Sequence, residues 1–334
     1  MFNASNKQNQ GLYMTHLTYN DRTNAEEYII RTFQHCNIIG LGEGGHHLEN
    51  AHQFFHQLFE NKKFQEIVDV VILEFANTDY QNILDEYIYG KEVDVNELQK
   101  LWRESTQSAT LFGEANIYFE LLKKIREINF ALPKDKKIRV LGGDPSINWA
   151  SINNIEDWKN QVGYEREILP ATLAKEFGIN QKKKVLLIYS EFHLTKIPDK
   201  IFDEQMQTIT SIINKTLKDS MKVIGISYSE SLLSHKQFKD VPLYSAVDLS
   251  DNELGNVPAS QFFQASVYKD NKEIILFDKY KLKDTFDALI YVGSYSSLKK
   301  CLMPQINQFD KNSLQELNRR RTILGLEPLA YEGS

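Results

Sequence analysis

Acidic and histidine side chains follow several short apolar runs of this sequence, at the point where each run ends. These side chains are Glu43 with His46 and His47, then Glu74, Asp144, Glu191 with His193, and Tyr228. If the runs are neighbouring parallel strands, their polar ends meet in one crevice. Clustered carboxylates raise one another's pKa, and histidine titrates near neutrality, so the crevice would hold both a base and an acid. This combination is typical of hydrolysis or proton transfer.

The apolar runs themselves have the length of buried strands. They are Cys36–Leu41, Val68–Phe75, Ile138–Leu141, Val185–Tyr189, Val223–Tyr228, Ile274–Phe277 and Leu289–Val292. Helical periodicity lies between them, at Ala51–Leu58 and at about Asp79–Tyr89, Ala109–Asn129, Glu165–Phe177 and Asp203–Leu217. This alternation predicts an α/β fold with a mostly parallel or mixed central sheet, helices on both of its faces, and helical insertions.

The chain shows no repeat, low-complexity tract or flexible linker, so we predict one domain over residues 1–334. Its core would cover about residues 30–295, and a C-terminal helical segment about residues 304–325. The pattern Ser313–Glu316 predicts a capping box that opens the last helix. Two cysteines, Cys36 and Cys301, are too few for a disulfide framework or a thiolate metal site.

Charge and hydropathy exclude several classes of partner. The net charge of −6 offers no field to attract nucleic acid or anionic lipid. The basic runs Lys182–Lys184 and Arg319–Arg321 are interpreted as a solvated strand edge or helix face. No apolar stretch approaches the length of a membrane span, and the N-terminus has no leader pattern. We therefore expect a cytoplasmic protein with a small-molecule substrate, and the oligomeric state stays open.

Three other motifs are weaker. The spacing Gly40–Gly45 satisfies the dinucleotide fingerprint G-x-G-x-x-G, but the negative charge of Glu43 opposes a diphosphate in that loop. The segment Gly225–Ser229 lacks the second glycine of a nucleophile elbow, which argues against a serine hydrolase. His52 and His56 stand one helical turn apart and could bind a metal, but we interpret them as boundary positions of an amphipathic helix.

The ordered motifs resemble the erythromycin esterase-like family, within a wider group that includes ChaN-type haem-binding proteins and Tiki-type metalloproteases. The resemblance covers about Asn37 to Val292. It includes a strand followed by G-E-x-x-H, a strand ending in an acid, a helix ending in R-x-x-N before a G-x-D strand, an R-[DE] helix, a strand ending in A-H-N-x-H, and a closing strand. The matching segments are Ile38–His46, the strand ending in Glu74, Leu121–Asn129 with Val140–Asp144, Tyr164–Glu167, Lys184–His193 and Phe286–Val292.

The resemblance implies a hydrolase of an ester or lactone bond, related to antibiotic resistance. It implies that His46 is the base that activates water, that Glu43 and Glu74 orient this base, and that His193 is a second catalytic histidine. Further residues would hold the substrate or support these side chains: His47, Asp144, Arg166, Glu191 and Tyr228.

The sequence departs from the family pattern at three positions. His47 stands where a glycine is usual, and Ser190 and Glu191 replace the histidine and asparagine of A-H-N-x-H. These changes alter the charge and the hydrogen-bond donors of the expected pocket, so the substrate stays open.

Two alternatives use the same residues. The leading mechanism needs no cofactor, but Glu43, His46, Glu74 and His193 also offer the oxygen and nitrogen donors that suit Zn²⁺ or Mn²⁺. The chain would then be a metal-dependent hydrolase of the same fold. Alternatively, it is a non-catalytic protein that binds haem, through His46 or His47, or another small ligand.

Overall fold

The computed structural model describes residues 23–46, 48–109, 116–197, 207–228, 241–251, 253–262, 266–269, 272–275, 277–299 and 310–329. His47, residues 203–206 of a predicted helix and residues 304–309 of the predicted C-terminal segment lie outside these ranges. The strands are β1 (Thr23–Asn24), β2 (Ile38–Gly42), β3 (Val70–Asn77), β4 (Arg139–Asp144), β5 (Val185–Tyr189), β6 (Met221–Ser227), β7 (Ser245–Asp248), β8 (Ser266–Lys269), β9 (Lys272–Ile275) and β10 (Ala288–Tyr291).

Eight of these strands form one mixed sheet in the order β1-β7-β10-β6-β2-β5-β3-β4. All pairs from β10 to β4 are parallel, whereas β7 pairs antiparallel with both β1 and β10. The prediction of a mostly parallel, mixed α/β sheet is confirmed. The predicted strand Ile274–Phe277 lies instead in a separate hairpin of β8 and β9, and it ends at Ile275.

Helices occupy the connections between the strands. They are α1 (Ala25–His35), α2 (Glu49–Glu60), α3 (Lys62–Ile67), α4 (Gln81–Ile88), α5 (Val95–Arg103), α6 (Asn116–Ala131), α7 (Ile155–Gln161), α8 (Glu165–Ala174), α9 (Glu191–Leu194), α10 (Ile209–Thr216), α11 (Leu282–Thr285) and α12 (Lys311–Ile323). None of the helices in the described ranges combines the length and the apolar character that a membrane crossing requires.

Alternate residues of the central strands enter two separate hydrophobic cores. In β2, Ile39 and Leu41 join the core built with α1, α2 and α6, whereas Ile38 joins the core built with α8 and α10. Successive side chains of a strand point to opposite faces, so this division shows that helices cover both faces of the sheet. The apolar run of β2 is continuous because neither face meets water.

The beginning of α12 differs from the prediction. The helix starts at Lys311, and the carboxylate of Asp310 accepts the backbone N–H groups of Asn312 at 2.9 Å and Ser313 at 3.0 Å. Asp310 is therefore the N-cap, and Ser313 lies inside the first turn. The prediction of a capping box at Ser313 was wrong, because Asp310 begins and caps the helix three residues earlier.

Two polar residues are more deeply buried than predicted. His52 is 3% exposed and packs edge-on against Phe55, so it is a core residue and not a boundary residue. Burial, with the nearby His56 and His46, lowers the pKa of His52 to about 3. Arg320 is 7% exposed and lies over the ring of Trp149, so the basic run of α12 is not a fully solvated face.

Candidate active site

The predicted site residues follow strands that are neighbours in the sheet. The order β6-β2-β5-β3-β4 places the carboxyl ends of five parallel strands side by side. Glu43 follows β2, Glu74 lies in β3, Asp144 ends β4, and His193 lies in α9 directly after β5. The sheet therefore brings side chains that are far apart in sequence to one edge.

An irregularity in β3 aims Glu74 at this edge. Leu73 pairs with Gly142 and Asn77 pairs with Asp144, so β3 advances by more residues than β4 over the same length. Such a bulge bends the strand and redirects its side chains. Glu74 lies within the bulge, and its carboxylate faces the histidines that follow β2 and β5.

The loop after β2 makes a tight turn that presents Glu43 and His46. Gly44 and Gly45 have φ angles of 68° and 136°, which favour glycine. The turn packs on Glu191, whose Oε1 accepts the backbone N–H of Gly44 at 2.9 Å. Burial raises the pKa of Glu191 to about 7, although its backbone hydrogen bonds oppose the rise. Glu191 thus supports the loop from beneath.

His46 lies between two buried carboxylates. Its Nδ1 forms an ion pair with Oε1 of Glu43, and its Nε2 lies 4.0 Å from Oε1 of Glu74. Its side chain is 22% exposed, whereas those of the two glutamates are almost fully buried. Burial alone would lower the pKa of His46, but the charges of Glu43 and Glu74 outweigh it and raise the pKa to about 9. One ring edge is thus held by Glu43 while the other faces the site.

His193 is placed in the same manner from the opposite side. Its Nδ1 lies 2.7 Å from Oε1 of Glu167, and its Nε2 lies 3.3 Å from Oε1 of Glu74. Burial opposes the protonated imidazole, but Glu74 and Glu167 outweigh it and raise the pKa of His193 to about 9. The Nε2 atoms of both histidines therefore face the same oxygen of Glu74.

Glu74 is the shared anion at the centre. Its Oε1 accepts Nε2–H of Gln107 at 2.7 Å and lies 3.0 Å from NH2 of Arg166. Its Oε2 accepts the backbone N–H of Ser190 at 2.5 Å. Burial would raise the pKa of this carboxyl, but His193, His46 and Arg166 hold it well below its usual range. Glu74 is therefore ionised throughout the neutral range.

Among the remaining predicted residues, Asp144 lies close enough to this centre to feel the charges of Arg166 and Glu74. Asp144 is buried and accepts the backbone N–H of Thr106 at 2.7 Å and its hydroxyl at 2.5 Å. Burial raises the pKa of Asp144 to about 7, against the opposing charge of Arg166. Tyr228 is half-buried and packs against the larger core. His47 lies outside the described residues, and its role stays a prediction.

Sequence reasoning missed Glu167, Thr106 and Gln107. Glu167 is the acid of the Arg166-Glu167 pair that resembles the family's R-[DE] helix, so the motif contained a signal for it. Thr106 and Gln107 lie in a turn after α5, a helix that the sequence analysis did not predict. No strand end or catalytic residue type marks that turn, so it offered no comparable signal.

One group of donors could hold a metal ion. Ligand atoms of Glu43, His46 and Glu74 lie within 4.8 Å of one another, and among the described residues no other such group of three occurs. One nitrogen and two oxygens fit Zn²⁺ or Mn²⁺. However, the ion pair with Glu43 occupies Nδ1 of His46, and Arg166 and His193 already neutralise Glu74. The residues fit a metal only if Glu74 exchanges these partners.

Haem fits this site less well. The charged side chains around Nε2 of His46 differ from the apolar slot that haem requires.

The chain has the same fold as several solved proteins of low sequence identity. It matches a Bacillus cereus protein with a TM-score of 0.56 and 14% identity over 82% of this chain and 92% of that protein. It matches a succinoglycan biosynthesis protein with a TM-score of 0.55 and 11% identity, over 83% of this chain and 92% of that protein. It matches a mutant of the erythromycin esterase EreC in its open conformation, with a TM-score of 0.51 and 11% identity, over 83% of this chain and 94% of EreC.

Comparison of the sequence with protein-family models and with curated proteins finds no match. The expected resemblance to the erythromycin esterase group is therefore confirmed for the fold, on structural similarity alone.

Proposed function

We propose that this chain is a hydrolase that cleaves an ester or lactone bond by histidine-assisted attack of water. One observation carries the proposal: the Nε2 atoms of His46 and His193 face the same oxygen of Glu74, while a separate glutamate holds each Nδ1. Two imidazoles on one crevice give a base and an acid within reach of the same reacting bond.

His46 is the proposed base. Its Nε2 is too far from Glu74 for a direct hydrogen bond, and a water molecule can bridge a separation of 4.0 Å. The neutral imidazole would take a proton from that water as the water attacks the carbonyl carbon. Glu43, at Nδ1, fixes the tautomer and stabilises the imidazolium that forms. A positioned base of this kind contributes about 10² to 10⁴-fold in rate.

His193 is the proposed acid and electrostatic partner. Its raised pKa keeps it protonated at neutral pH. It would stabilise the oxyanion of the tetrahedral intermediate and then give a proton to the leaving alkoxide. Arg166 and Gln107 donate to the same oxygen of Glu74 that the two imidazoles face, and these bonds hold the carboxylate in place.

The comparison with EreC supports the choice of reaction. EreC is described as an erythromycin esterase, and the shared fold covers 83% of this chain and 94% of EreC. Four residues of the segments that resemble the family motifs lie close to one another: Glu43, His46, Glu74 and His193. A macrolide lactone is accordingly one candidate substrate, and simpler esters are others.

The test is hydrolysis of p-nitrophenyl acetate and of erythromycin by the wild-type chain and by His46→Ala. We expect the substitution to lower kcat by at least 10²-fold, the lower end of what a positioned base contributes. His35→Ala is the control, because His35 is exposed at the end of α1. Equal rates for wild type and His46→Ala on every ester tested would refute this mechanism.

A metal-dependent hydrolase is the second candidate, and the grouping of Glu43, His46 and Glu74 favours it. A divalent ion held there would lower the pKa of a bound water. Protein purified without chelator is analysed for Zn and Mn, and its activity is measured before and after EDTA. One equivalent of metal and a loss of activity that the same metal restores would support this candidate. Full activity in metal-free protein would support His46 acting alone.

A further inference from the structure

Glu167 is a buried acid that the water-activation scheme does not require. It lies in the first turn of α8, and its side chain is 8% exposed. Its Oε1 lies 2.7 Å from Nδ1 of His193. Glu165, two residues earlier in the same turn, is exposed to solvent. Both acids suit the positive end of the helix dipole, so this effect does not account for the burial of Glu167.

Burying a carboxylate costs free energy unless charged or hydrogen-bonding groups compensate it. The imidazole of His193 is that compensating group for Glu167. In return, the carboxylate of Glu167 accepts a hydrogen bond from Nδ1–H at 2.7 Å, closer than Oε1 of Glu74 lies to Nε2 at 3.3 Å, so the neutral imidazole keeps its hydrogen at Nδ1 and leaves the Nε2 lone pair toward the site. A carboxylate beside an imidazole fixes its tautomer and ring orientation in this way.

The arrangement at His193 repeats the arrangement at His46. Glu43 contacts Nδ1 of His46, and Glu167 contacts Nδ1 of His193. The first pair comes from one loop, whereas the second joins α8 to α9. Both pairs leave Nε2 facing Glu74. The centre thus contains two Glu–His pairs around one shared carboxylate, and in both pairs the glutamate contacts Nδ1 of the histidine.

We propose that Glu167 is a positioning residue, which holds His193 in the Nδ1–H form and aims its Nε2 at the reacting atoms. The proposal rests on the hydrolase function proposed above. It assigns His193 the same kind of support that Glu43 gives His46, so that one imidazole can accept a proton while the other donates one. Glu167 itself does not touch the substrate.

The experiment compares Glu167→Ala, Glu167→Gln and the control Glu165→Gln in the full chain. With p-nitrophenyl acetate we expect Glu167→Ala to lower kcat about 10- to 100-fold with little change in KM, as for other supports of catalytic histidines. Glu167→Gln should retain more activity, because its amide oxygen can still accept Nδ1–H. Glu165→Gln removes a charge from the same end of the helix, but at an exposed position. Its kcat should therefore equal that of the wild type.

A second readout is independent of the ester. ¹⁵N spectra of histidine-labelled protein at about pH 10, assigned with His193→Gln, report which ring nitrogen carries the hydrogen. We expect Nδ1–H in the wild type and a shift toward Nε2–H in Glu167→Ala. An unchanged tautomer in a folded Glu167→Ala, or an unchanged kcat, would overturn the proposal. If the wild type hydrolyses no ester, the hydrolase function has failed, while the tautomer still decides whether Glu167 positions His193.

Discussion

Oε1 of Glu191 accepts the backbone N–H of Gly44 at 2.9 Å from beneath the loop that carries the proposed base. The same oxygen accepts the backbone N–H of Ile226 at 3.1 Å. This single oxygen therefore joins the loop after β2 to the end of β6. Glu191 supplies these contacts at a position where the motif that the sequence resembles has an asparagine.

Gly42→Ala should destabilise the protein and reduce its activity. A Cβ at Gly42 would collide with the carboxyl group of Glu191, so either the loop or Glu191 must move. Overpacking of this kind costs about 1 to 3 kcal/mol, and we expect that loss in the free energy of unfolding measured with urea. We also expect at least a tenfold lower kcat, because His46 would be displaced.

Glu191→Gln is the variant to compare with Gly42→Ala, because it removes the charge of the carboxyl group and keeps an acceptor oxygen. One amide oxygen can accept both backbone N–H groups, because Oε1 of Glu191 already accepts both. The variant should therefore stay within about 1 kcal/mol of the wild type in stability. A large loss of stability in Glu191→Gln, with none in Gly42→Ala, would show that the charge of Glu191 matters more than the space it occupies.

The rate of ester hydrolysis should rise with pH up to about 9 and fall at higher pH, because His46 must be unprotonated and His193 protonated, and both have a pKa of about 9. The proposed base acts only when His46 is unprotonated, and Glu43 and Glu74 raise its pKa to about 9 against burial and the charge of Arg166. The measurement is kcat/KM for p-nitrophenyl acetate between pH 6 and 10, corrected for spontaneous hydrolysis. A rate that is already maximal at pH 6.5 in metal-free protein would contradict the proposal that unprotonated His46 is the base.

Stability should fall over the same alkaline range. His46 and His193 both have folded-state pKa values of about 9, above the 6.5 that is usual for histidine. Folding therefore retains protons that the unfolded chain releases, and the associated stability is fully present below about pH 6.5 and lost as pH rises through 9. We expect the unfolding free energy to decline between these values. His193→Gln should reduce the slope, and an unchanged slope would show that His193 is not protonated in the folded protein.

The sequence predicted the central part of the site because parallel strands share one geometry. Glu43 and His193 follow strands that the apolar runs identify, Glu74 lies in the last half of another, and the carboxyl ends of such strands meet at one edge. Two contributions could not be predicted in this way. The bulge in β3 depends on pairing with β4, and the turn that holds Gln107 depends on tertiary contacts.

The same limit applies to burial. The helical pattern predicts His52 at the boundary of an amphipathic helix and Arg320 on a solvated face, yet their surroundings bury both of them. The short strand β7 was also not predicted, since its four residues gain their place from pairing with β1 and β10. Periodicity describes one element at a time, whereas these features arise between elements.

Arg320 fixes the turn that supports the site. Its NH1 donates to the carbonyl oxygen of Arg103 at 2.8 Å and to Oγ of Ser108 at 2.9 Å, and its NH2 pairs with Glu104 at 2.8 Å. Within that turn, Thr106 contacts Asp144 and Gln107 contacts Glu74. The C-terminal helix α12 is therefore connected to the central carboxylate through the turn at residues 103–108.

Arg320→Ala should consequently affect the site from a distance. Glu104 is partly exposed, so the lost ion pair itself costs little, but the carbonyl oxygen of Arg103 and Oγ of Ser108 lose their donor, and we expect the free energy of unfolding to fall by about 1 to 3 kcal/mol. Amide hydrogen exchange should increase at residues 103–109, and kcat should fall because Gln107 no longer holds Glu74 firmly. Lys311→Ala, exposed on the same helix, is the control and should change neither quantity. Faster exchange confined to α12, with protection of residues 103–109 intact, would show that the helix does not support the site.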